Sequence, residues 1–99
     1  MENLWALIKG NLPVFVMFYA SWCPHCRKML PIVRKLENNK HLNLQSFDID
    51  DPANRRLVDY SQVQAVPLMM IYKAGEQLWR WNGEIEEEEL MQTLKRLLK

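Results

Sequence analysis

Six consecutive residues, Val14-Phe15-Val16-Met17-Phe18-Tyr19, form an unbroken apolar run rich in β-branched and aromatic side chains. A strand with one wet face would alternate apolar and polar residues. A continuous run of this kind instead fits a central strand covered on both faces. A chain of 99 residues is about one domain. The elements around this strand must therefore supply the cover.

The flanking pattern alternates helix and strand. Residues 2–10 place Leu4, Trp5 and Ile8 at helical spacing, and Gly10 sits where a helix stops. From about Pro24 to Asn38, Met29, Val33 and Leu36 recur at helical spacing, with Leu30 and Ile32 beside them. Pro31 falls inside this helix and is expected to kink it. Leu42 to Asp50 reads as a second strand. Asp51-Pro52 joins a capping residue to a proline at the first helical position, which predicts a short helix through Tyr60.

Leu68 to Tyr72 is another apolar strand, Lys73 to Glu76 a turn, and Gln77 to Trp81 the strand that returns beside it. Glu86 to Lys99 closes the chain as an amphipathic helix with Leu90, Met91, Leu94, Leu97 and Leu98 on one face. Its acids lie at the start and Lys95, Arg96 and Lys99 at the end, as the helix dipole favours. The order α-β-α-β-α-β-β-α predicts a single α/β domain over residues 1–99, with one mixed sheet flanked by helices.

Composition narrows the function classes. Thirteen basic and twelve acidic residues nearly cancel, which argues against nucleic acid as the main partner. No run of about 20 apolar residues occurs, so no helix is expected to span a membrane. Leu12 to Ala20 lacks the basic start of a signal peptide, because only Lys9 precedes it and Glu2 is acidic. The expectation is a cytoplasmic, monomeric chain.

Cys23 and Cys26 are the only cysteines, and they are two residues apart. Cys23 follows the apolar strand directly and opens the long helix. The free N–H groups and positive dipole end of a helix N-terminus favour a thiolate there. Pro24 suits the first helical position. Cys26, one turn further in and on the same side, is expected to be more buried and able to resolve a mixed disulfide on Cys23. As a staple, a bond closing about four residues restrains the unfolded chain by only about 2 kcal/mol. Reversible exchange explains the pair better than stability does.

Other readings of the pair are weaker. Zinc could draw on Cys23, His25 and Cys26, with His41 as a fourth ligand, but structural zinc usually takes two separated ligand pairs. Haem attachment needs His after the second cysteine, where Arg27 stands. No metal or other cofactor is expected beyond the cysteine pair itself. His25 is either an exposed spacer or an imidazole that stabilises the Cys23 thiolate. Arg27 and Lys28 read as solvated helix residues that add positive potential.

The stretch Phe18-Tyr19-Ala20-Ser21-Trp22-Cys23-Pro24-His25-Cys26-Arg27-Lys28-Met29-Leu30-Pro31 resembles the active-site strand and helix of thioredoxins. Val66-Pro67 before an apolar strand, Lys73-Ala74-Gly75-Glu76, and Gly83 resemble their later half. The resemblance implies a thioredoxin-like protein-disulfide oxidoreductase, acting on protein disulfides and recycled by a thioredoxin-reductase-type electron donor. It also implies a cis Val66–Pro67 bond facing the cysteines, which is plausible only at proline. There the residue-66 backbone would pair with an extended substrate, and Trp22 would be an exposed flank for docking it.

Four departures qualify this. The family's first strand is missing, so four strands are expected instead of five. Its buried aspartate maps to Met17 and the lysine partner to Ser46. Its Trp before the cysteines is Tyr19. The dipeptide between the cysteines is Pro24-His25, as in periplasmic disulfide oxidases of the DsbA type, which implies a potential less reducing than the about −270 mV of thioredoxin. A more oxidising oxidase or isomerase is one alternative. A non-catalytic peptide-binding module is another, with Trp79 and Trp81 on one sheet face, exposed or covered by a helix.

Overall fold

The structure is a computed structural model that describes residues 2–98. Four helices and four strands follow in chain order: α1 Glu2–Lys9, β1 Val14–Tyr19, α2 Pro24–Arg34, β2 Asn43–Asp48, α3 Arg55–Tyr60, β3 Leu68–Lys73, β4 Glu76–Asn82 and α4 Glu87–Leu97. The sheet order is β2-β1-β3-β4. β1 pairs parallel with β2 and antiparallel with β3, and β3 pairs antiparallel with β4. This is the mixed four-stranded sheet expected from the order of elements.

Alternate residues of β1 feed two different cores. Phe15 and Met17 join Met29, Val33, Leu90 and Leu94, on the side of α2 and α4. Val14, Val16 and Phe18 join Leu4, Ile8 and Leu57, on the side of α1 and α3. Residues 14–18 are all 0% exposed. Each large apolar side chain removed from water contributes roughly 1.5–3 kcal/mol. The apolar run is thus the shared wall of both layers.

Boundaries differ from expectation at a few places. The long helix runs through Pro31 but tightens to a 3-10 turn at Lys35–Asn38. The helix start at Pro52 is likewise a 3-10 turn, Pro52–Asn54, and Asp51 caps it by accepting from the Ala53 amide. The β3–β4 turn has two residues, because Lys73 and Glu76 still pair. The expected final residue of the last helix, Lys99, lies outside the described residues.

β4 carries a bulge. Ile71 pairs with Trp79 while Tyr72 pairs with Gln77, so Leu78 is the extra residue. Leu78 and Trp79 can then both face the α2/α4 core, where Trp81 also packs. Trp79 and Trp81 stack at 6.1 Å between ring centroids and are half-buried against that core. They are covered rather than presented.

Ala74 and Gly75 both have positive φ, 52° and 82°. That is the two-residue hairpin turn whose twist matches the strands. Alanine is strained in this region, whereas glycine is not. Ala74→Gly is expected to stabilise the protein by about 0.5–1 kcal/mol, seen as a higher urea midpoint with unchanged slope.

Candidate active site

The end of β1, the start of α2, the approach to β3 and the turn after β4 form one site. Cys23 is the N-cap of α2, with extended backbone (φ −87°, ψ 116°), and Pro24 follows in the first turn. An N-cap side chain normally offers oxygen to the free amides. Here sulfur takes that place: the Cys26 amide donates to Cys23 Sγ at 3.4 Å. Both cysteines are free thiols. Cys23 is 4% exposed and Cys26 0%.

The two sulfurs differ in acidity. Burial opposes a thiolate at Cys23, but hydrogen bonds from Cys26 and the His25 amide, with the Arg27 charge, hold the thiol below its ordinary value. Burial pushes the Cys26 thiol up to about 11, and the neighbouring Cys23 sulfur adds to this. The outer thiol is therefore the more acidic of the two and the inner one the less acidic.

Val66–Pro67 is a cis peptide bond. The Val66 carbonyl lies 3.7 Å from Cys23 Sγ, and Val66 packs against the cluster formed by Ala20, Cys23 and Cys26. Trp22 is 61% exposed. Its indole N–H donates to the Asp50 carboxylate at 2.8 Å, which fixes the ring at the rim. On the other flank, the His25 imidazole Nδ1 meets the Glu84 carboxylate. Arg27 is not simply solvated, because its Nε donates to the Ser21 carbonyl at 3.1 Å and so ties back the segment before Cys23.

Every residue singled out from the sequence for this site is brought together: Trp22, Cys23, Pro24, His25, Cys26, Val66 and Pro67. Asp50 and Glu84 were missed. They stand 28 and 59 residues from their partners, and no local pattern marks them. His41 lies apart, lining a cleft with Leu36, Asn39 and Leu94. Among the described residues no group of three metal-ligating side chains converges.

Met17 and Ser46 are cross-strand partners. Met17 is fully buried in the α2/α4 core. The position where the resemblance places a buried acid is apolar, and so the strand beneath the cysteines offers no carboxylate for proton transfer.

The comparisons agree with this architecture. The family model described as Thioredoxin matches residues 2–96. A thioredoxin from Pyropia yezoensis is 29% identical over 92 residues, covering 93% of this chain and 86% of that protein. Thioredoxin Y, chloroplastic, from Oryza sativa subsp. japonica is 30% identical over 92 residues, and there the chain spans 55% of the relative's length. A solved mutant thioredoxin from Halobacterium salinarum NRC-1 superposes with a TM-score of 0.87 at 25% identity, over 100% of this chain and 86% of that one.

A dithiol at a helix start, facing a cis-proline loop on a four-stranded mixed sheet, defines the thioredoxin-fold class. The chain belongs to the thioredoxin family. No helix among the described residues is long and apolar enough to cross a membrane. The relatives include chloroplastic and mitochondrial proteins, so membership does not assign the expected cytoplasmic location.

Proposed function

We propose that this chain is a thiol–disulfide oxidoreductase that reduces protein disulfides through Cys23, with Cys26 as the resolving thiol. The observation that carries this reading is the placement of the two sulfurs: Cys23 Sγ caps the start of α2 and accepts from the Cys26 amide at 3.4 Å, while Cys26 is fully buried one turn further in.

The Cys23 thiolate attacks one sulfur of a substrate disulfide. The substrate S–S bond breaks, a mixed disulfide forms on Cys23, and the departing sulfur takes a proton. Cys26 then gives up its proton and attacks Cys23 Sγ. The mixed disulfide breaks, the second substrate thiol leaves, and the Cys23–Cys26 disulfide remains. Two electrons and two protons have passed to the substrate. A dithiol-donating reductase returns the pair to the reduced form.

With Met17 where an acid would stand, water or another group takes the Cys26 proton. An extended substrate segment would pair with the Val66 backbone, whose carbonyl stands 3.7 Å from Cys23 Sγ, with the exposed Trp22 as its flank. Pro24-His25 between the cysteines makes the pair less reducing than that of an ordinary thioredoxin.

Cys26→Ala tests the reading. This variant keeps the attacking thiolate but has no resolving thiol. Incubated with a disulfide-bonded protein such as insulin, it is expected to accumulate a mixed disulfide on Cys23, seen by mass spectrometry and released by dithiothreitol. An unmodified Cys23 after such incubation would exclude the mechanism and favour a binding module.

A further inference from the structure

The turn after β4 is held by three hydrogen bonds. The Gly83 amide donates to the Pro67 carbonyl at 2.8 Å, Asn82 Nδ2 to the Ala65 carbonyl at 3.1 Å, and the Trp81 indole to the Glu84 carbonyl at 3.1 Å. Gly83 has φ +93°, which side-chain-bearing residues rarely adopt. The turn is therefore anchored to the strand start that carries the cis proline, and the Glu84 side chain leaves it toward α2.

There the carboxylate meets His25 Nδ1 and stands 4.0 Å from Lys28 Nζ. His25 and Lys28 are three residues apart on α2 and so share a face. The hydrogen bond from His25, with the nearby Lys28 charge, holds the Glu84 carboxyl below the usual carboxylate range. An ionised carboxylate only accepts hydrogen bonds. The hydrogen in this contact must then sit on Nδ1, which leaves Nε2 as the nitrogen that exchanges its proton.

We propose that Glu84 is a positioning residue for exchange at Cys23: by accepting from Nδ1–H, it holds the His25 ring in one orientation and fixes Nε2 as its exchangeable nitrogen. The inference rests on the exchange reading above and refines it. The same contact links the helix start that carries Cys23 to the turn anchored on Pro67. Both walls of the site are thereby held at one spacing.

Two readouts test this in the reduced protein. Long-range proton–nitrogen NMR of the histidine side chains, at a pH where the ring is neutral, is expected to show His25 protonated at Nδ1. Glu84→Ala should move that proton toward Nε2, whereas Glu84→Gln, whose amide oxygen still accepts, should keep it on Nδ1. The insulin-reduction rate should fall about three- to fivefold in Glu84→Ala, the scale of an exposed charged contact, and recover at least in part in Glu84→Gln. A wild-type ring protonated at Nε2, or a Glu84→Ala protein as fast as wild type, overturns the proposal. A wild-type protein with no exchange activity overturns the function reading instead.

Discussion

Replacing Cys23 by Ser brings insulin-disulfide reduction down to the uncatalysed background. Serine keeps the N-cap geometry, since its oxygen can accept from the Cys26 amide as sulfur now does. The fold is therefore preserved, and circular dichroism should match the parent. The nucleophile is not preserved, because a hydroxyl ionises far less readily than a thiol and is the weaker nucleophile. Retained activity in this variant would sink the assignment of Cys23 as the attacking sulfur.

The wild-type protein carries a second signature of the same arrangement. Alkylation by iodoacetamide should rise with pH and level off once the Cys23 thiolate is complete. Because that thiol lies below its ordinary value, the plateau arrives at lower pH than for a free cysteine. Cys26, pushed up to about 11, stays protonated and silent over this range.

Phe15→Ala should destabilise the protein by about 3–5 kcal/mol, the usual cost of deleting a buried aromatic ring. Phe15 is 0% exposed in the α2/α4 core, and Trp79 lies 6.4 Å away between ring centroids. Domains of this size have about 5–15 kcal/mol in total, so the loss is a large part of the whole. Urea unfolding should show a lower midpoint at similar slope. A shift below about 1 kcal/mol would mean that the core collapses around the missing ring more freely than close packing allows.

The architecture was legible because its strongest signal comes from burial on both faces. The Val14–Tyr19 run could only be central, and the helical periods around it named its cover. The cysteine pair was legible for a local reason: one turn of helix puts both sulfurs on one side. What was not legible depends on geometry that sequence periodicity does not encode. A 3.6-residue and a 3.0-residue period cannot be told apart over the four residues Lys35–Asn38. The bulge at Leu78 shifts the strand by one residue at the apolar pair Leu78-Trp79, either of which could face the core. Asp50 and Glu84 act across 28 and 59 residues of chain, so only the folded sheet shows which partner each one meets.

The hairpin turn at Ala74–Gly75 has a further consequence for the N-terminal segment. Its amides donate to carbonyls at the far end of the first helix: Gly75 N–H to Ile8 at 2.8 Å and Ala74 N–H to Gly10 at 3.1 Å. A helix of eight residues is too short to persist by itself in water. Here its exit is closed by a turn more than sixty positions later in the chain. The end of α1 and the β3–β4 hairpin are thus one hydrogen-bonded unit, so a change that opens the turn also frees the carbonyls at the exit of the helix.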